Sequence, residues 1–263
     1  PRGGRVTTLY APTPAPMTLT PPPLPRLARI ELRKAVDTRA GRWLLVLIGL
    51  VAVTGAAITA VTGPVSHHNL SHVLSDTSQL IAILLPVLGI LLVTSEWSQH
   101  TALTTFTLVS RRSRIIGAKV AAGVLLAAAA TVMCIAVTAV VLIAADHGQA
   151  GLWQGADRAI GYASVFQILN LLLGVGFGLL FHSTPVAIVV YFAAPTAWSI
   201  LTGTVSALAG TGRWLDPSTA WNHLADGTMT ATTWAQVGTA AAAWIALPAL
   251  AGGWRVLHRP VDV

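Results

Sequence analysis

Residues 95–119 read SEWSQHTALTTFTLVSRRSRIIGAK, a polar and basic stretch wedged between two strongly apolar runs. The flanking runs, about 79–94 and about 120–144, have the composition of membrane helices. A stretch between two such helices is a loop held at one membrane face. Glu96 stands just past the first helix and Lys119 opens the second.

The rest of the chain agrees with a membrane setting. Of its 263 residues 54% are hydrophobic and only 10% charged, and the mean hydropathy is +0.69. Soluble domains carry roughly 25% charge, and a water-soluble core of this size could not bury so much apolar surface. The expected fold is an all-α polytopic membrane protein. A formal net charge of +7 invites a nucleic-acid reading. No basic stripe is interleaved with stacking aromatics, however, and Lys and Arg gather in cytoplasmic loops for a simpler reason. The single cysteine, Cys134, lies in an apolar run, so no intramolecular disulfide and no Cys-based metal site is expected. The first long apolar run starts at Trp43, too deep and too long for a signal peptide.

Composition shifts divide the chain. Residues 1–25 hold seven prolines from Pro12 to Pro25 and read as a disordered or polyproline-like tail. Residues 26–42, RLARIELRKAVDTRAGR, read as a short amphipathic helix on the anionic cytoplasmic leaflet, with Leu27, Ile30 and Val36 on its apolar side. Residues 43–257 hold six expected transmembrane helices, near 43–61, 79–94, 120–144, 160–181, 185–208 and 234–254. Residues 258–263 form a short tail. With six spans both termini share one side. Every Lys and Arg except Arg158 and Arg213 then falls on that side. The positive-inside rule makes it cytoplasmic, and the expected location is the plasma membrane.

Within the spans, Gly174 and Gly178 form a GxxxG pair suited to close helix approach, within one chain or between two. Gln167 and Asn170, three residues apart, share a helix face. Either they line a pathway or they make interhelical hydrogen bonds. No span centre carries Asp, Glu, Lys or Arg, so an ion-coupled transporter is disfavoured and an external energy source expected. His67, His68 and His72 cluster near Asp76 in the first outside loop and read as solvated rather than metal-binding. Outside Trp153, Trp214 and Trp221 read as anchors of short interfacial helices rather than ligand-stacking rings. No phosphate-cradling GxxxxGK[ST] element, no HExxH and no GxSxG is present, so no catalytic residue is assigned and the chain is not expected to be an enzyme.

The order of parts in residues 95–119 resembles the type-2 ABC exporter permease family. That family shows a Glu-aromatic element after its second helix, then a Thr/Leu segment, a Pro-x-x-Arg-like element and a Lys opening the third helix. Here the matches are Glu96, Trp97, Thr101, Thr104, Thr105, Arg111 and Lys119. His100, Leu103 and Val109 depart from the common Gly, Arg and Pro. The resemblance extends over Arg26–Arg255 and implies a permease subunit of an ATP-driven transporter. It implies that residues 95–119 couple to a separate ATPase subunit through Glu96, Thr101, Thr104, Arg111, Arg114 and Lys119. ATP and Mg would sit on that partner, and this chain would bind no cofactor. A second permease chain, identical or homologous, would complete the pathway. A non-transporting anchor or sensor subunit and a membrane-embedded enzyme are the alternatives.

Overall fold

A polar break separates the basic leader from the first span. The computed structural model describes residues 23–63, 69–98, 112–145 and 151–258. Helix α1 runs over Leu24–Asp37 and α2 over Arg39–Thr62, with Thr38 extended between them. The Thr38 hydroxyl accepts the Gly41 N–H at 3.1 Å and caps α2. The expected single helix of residues 26–42 is therefore two elements, and the first span starts at Arg39 rather than Trp43. Helix α1 turns small residues to the bundle and leaves part of its apolar side exposed. Ala28, Glu31 and Ala35 face the bundle, while Ile30 and Val36 are exposed. Small side chains let α1 lie close to its neighbours, which Leu and Ile would hold away.

The second span starts well before Gln79. Helix α3 covers Leu70–Ala82 and α4 covers Leu85–Ser98, joined by a turn at Ile83 and Leu84. The Asn69 side chain accepts the His72 N–H at 3.0 Å, which starts the helix inside a segment expected to be loop. Pro86 explains the break. It offers no N–H, and its ring excludes the carbonyl four residues earlier. Helix α5, Arg112–Ala145, has 34 residues and reaches about 50 Å, longer than a bilayer core. Lys119 consequently lies inside this helix, not in front of it.

Helix α6 covers Ala156–Phe181 and ends at His182, whose φ of 53° is left-handed. Helix α7, Thr184–Thr204, carries a proline in its first turn. The expected outside loop 209–232 contains two short helices, α8 at Ala209–Leu215 and α9 at Pro217–Ala225. The last span is α10, Ala231–Ala241, a π-helical turn at Ala242–Ala246, and α11, Leu247–His258. The wide turn sits just before Pro248, where an α-helical path would clash.

Helix α6 is the axis of the bundle, touching α3, α4, α5, α7, α9 and α11. Close approach needs residues without side chains. A Cβ on Gly174 would overlap the Pro86 carbonyl, with its carbon at 2.6 Å, and one on Gly178 would press on Val93 at 3.1 Å. On the opposite side, a Cβ on Gly252 of α11 would overlap the Leu179 carbonyl. The Gly174/Gly178 pair thus packs within one chain, against α4. Trp221 does not anchor an interface. It is 4% exposed and packs in a core cluster with Phe166, Tyr191 and Leu224.

Six helices are long and apolar enough to cross a membrane, and among the described residues every regular element is helical. The chain is an all-α multi-pass membrane protein. The second and fourth spans are 67% and 61% buried over their most apolar windows, but the fifth is only 11% buried. The fifth span is the face the bundle leaves open.

Candidate functional site

At one end of the bundle, a buried ion pair ties three elements together. Lys119 of α5 is 4% exposed and Glu31 of α1 is 5% exposed. The Lys119 ammonium donates to Glu31 Oε2 at 2.8 Å and to the Leu92 carbonyl of α4 at 3.1 Å. Lys34 donates to Glu31 Oε1 at 2.7 Å. One carboxylate therefore holds two ammonium groups, and one ammonium holds two elements. Charges this deep require such pairing. The same end carries other links. The Thr94 and Thr184 hydroxyls hydrogen-bond at 2.7 Å, and Arg255 donates to the Leu180 carbonyl at 3.3 Å. His182, in the turn between α6 and α7, has its pKa lowered, first by burial and then by the positive charge of Arg255.

The two elements that flank residues 99–111, α4 and α5, both contribute to this cluster. Glu96 belongs to the last turn of α4, and Arg114, half-buried, to the first turn of α5. Thr101, Thr104 and Arg111 lie outside the described residues. Lys119 points inward to Glu31 rather than toward a docking subunit. Sequence reasoning missed Glu31. Its signal was an acidic residue among arginines on a helix expected to contact an anionic leaflet.

At membrane depth, Gln167 and Asn170 do different things. Gln167 is fully buried and donates to the Ser78 carbonyl of α3 at 3.3 Å. It is an interhelical tie. Asn170 donates to the Phe166 carbonyl of its own helix at 2.9 Å and lines a cleft of about 300 Å³. The cleft opens where Pro86 breaks the second span, between α3, α6, α7 and α9. Amides from Gln79, Asn170 and Asn222 share its wall with Tyr191, Phe192 and Trp221. The Trp221 indole N–H is buried without an acceptor. Toward the other end of the bundle lies a second cavity, about 250 Å³, between α3, α6 and α9. Ser71, Ser75 and Ser78 line it at helical spacing, facing Arg158, Tyr162 and Asp226. Its α3–α9 wall is tied by the Ser75 hydroxyl, which donates to the Ala225 carbonyl at 2.7 Å.

These features define a class, a multi-pass helical membrane protein with a charged lock at one end and polar cavities inside. No protein-family model matches the chain, and no curated protein matches it.

Proposed function

We propose that this chain is the membrane subunit of an ATP-driven transporter, an exporter. A separate ATPase subunit engages residues 95–119, and a second permease chain, identical or homologous, packs beside the first. The observation that carries the reading is the lock at the foot of that loop. A push on the loop meets Lys119, which is bonded to α1 and to the Leu92 carbonyl of the second span. The second span in turn bears on the fourth through Pro86 and Gly174. A load on the loop therefore reaches the helices that wall the polar cleft, and does not dissipate in a loose tether. Nucleotide binding to the partner would bias two arrangements of these helices by its different affinity for each. The open face of the fifth span supports a neighbouring chain, and the lack of a phosphate-cradling element in the sequence agrees with ATP and Mg being bound by the partner. The charge asymmetry supports cytoplasmic termini, and the plasma membrane is the location this reading assigns.

The test is reconstitution with an ATPase subunit that copurifies with this chain. The double change Arg111→Ala and Arg114→Ala removes bidentate donors for partner carboxylates and should abolish stimulation of ATP hydrolysis. Arg255→Ala with Arg259→Ala removes the same charge elsewhere and should do less. Full stimulation and transport in both variants would reject the loop as the coupling element.

A further inference from the structure

The two cavities follow one seam, and a single residue, Phe166, lines both. Phe166 is 6% exposed and packs in one cluster with Trp221 and Leu224 of α9. Consecutive residues Ser78 and Gln79 fall on either side of it, the first lining the polar cavity and the second the cleft. So do Leu224 and Trp221, one helical turn apart on α9. The walls differ in chemistry. The cavity presents Arg158, His72 and Asp226. The described walls of the cleft present amides, hydroxyls and aromatic rings with no charged group. The Gln79, Asn170 and Asn222 amides offer donors to an acceptor on a bound molecule. Aromatic walls with a few convergent polar groups are the usual lining of small-molecule sites.

We propose that the cleft around Asn170 and Trp221 is a subsite for an uncharged, aromatic or apolar molecule carrying a hydrogen-bond acceptor, and that Phe166 is the gate between this subsite and the polar cavity. The proposal rests on the transporter reading for its direction of travel, but its test does not need the ATPase. A cation or anion would leave its charge unpaired in the cleft, so neutral cargo is selected there. Past Phe166 the hydroxyls and charges of the cavity favour hydrated groups, so cargo is released toward water. The ring closes the seam by filling it, and its removal leaves a continuous polar route.

The experiment uses the full chain in lipid nanodiscs, in a Cys134→Ala background, with a charged methanethiosulfonate reagent. Ser71→Cys reports the polar cavity and Asn170→Cys the cleft. Ser71→Cys should react rapidly in every background. Asn170→Cys should react slowly with Phe166 present and about tenfold faster with Phe166→Ala, which corresponds to about 1.4 kcal/mol off the barrier. Phe166→Leu, which keeps an apolar side chain and guards against loss of folding, should give an intermediate rate. Nile red, neutral and aromatic with a carbonyl acceptor, should protect Asn170→Cys in the Phe166→Leu protein and leave Ser71→Cys unprotected. Equal rates at Asn170→Cys whatever occupies position 166 would overturn the gate. No protection by Nile red would overturn the ligand chemistry. Failure of the unsubstituted chain to stimulate any ATPase subunit, with this labelling pattern intact, would remove the transporter reading alone.

Discussion

Glu31 shows how a single side chain turns a surface helix into part of the bundle. Arg26, Arg29 and Arg33 lie on the far side of α1 and are exposed. Glu31 faces inward, between Lys34 and Lys119. Removing the carboxylate leaves Lys119 buried beside a lone carbonyl. Glu31→Gln is expected to cost about 3–5 kcal/mol, and the apolar pair Glu31→Leu with Lys119→Met much less, because no uncompensated charge remains. Thermal unfolding of the detergent-solubilised protein measures both; equal destabilisation by the two variants would show that packing, not charge pairing, holds α1. His182 is the second residue with a checkable consequence. Its folded pKa lies below the ordinary value of 6.5, so the unfolded chain takes up a proton first as pH falls. The neutral-His contribution to stability is present above pH 6.5 and is lost as pH drops below it. His182→Asn tolerates the left-handed backbone and does not titrate. It should flatten the pH dependence of the melting temperature below that pH, and an unchanged slope would assign it to other groups.

At the scale of elements, the second and fourth spans are shaped for each other. Pro86 breaks one helix, and Gly174 lets the other approach the turn that results. A methyl group at position 174 has nowhere to go but into the Pro86 carbonyl. Gly238, in α10, has open space around its Cβ position and an ordinary backbone. Gly174→Ala is therefore expected to destabilise by about 1–3 kcal/mol through overpacking. Gly238→Ala should be neutral or stabilising by up to about 1 kcal/mol, the helix-propensity gain. Opposite signs in the melting temperatures would establish the close contact, and matching signs would refute it. The GxxxG spacing was readable in the sequence because small residues recur on one helix face. Its partner was not, since nothing local in α6 specifies that α4 rather than a second chain will fill the groove.

Over the whole molecule, the ends of the bundle are chemically distinct. One end gathers the Glu31–Lys119 pair, the Thr94–Thr184 bond and Arg255. The other gathers Arg158, Asp226 and the bond from the Leu70 N–H to the Leu152 carbonyl at 2.8 Å. In the Cys134→Ala background, Gln149→Cys should label from outside intact cells with an impermeant thiol reagent. Ser110→Cys and Ser183→Cys should label only after permeabilisation. Outside labelling at Ser110→Cys would invert the orientation and detach the loop from any cytoplasmic ATPase.

The number of spans and their helical nature were legible in the sequence by themselves. In a bilayer every backbone N–H and C=O must be satisfied within its own segment, so a long apolar run has one outcome regardless of its neighbours. Pro86 and Pro248 stand beside irregular turns, whereas Pro195 lies inside the unbroken α7, so proline by itself did not locate the breaks. The lower-contrast elements were not legible. The polar first turns of α3, with His72 and Asp76, resemble a loop until Asn69 caps them and the bundle covers their inner face. Trp214 and Trp221 pointed to short helices, but α8 and α9 are too short to show a period that fixes their bounds, and Trp221 reads as an interfacial anchor until Phe166 and Leu224 surround it. Only the tertiary structure decided which polar groups meet. Glu31 and Lys119 stand 88 positions apart, and Gln167 and Ser78 stand 89 apart. Their pairing depends on how α1, α3, α5 and α6 cross, which no pattern within one segment contains.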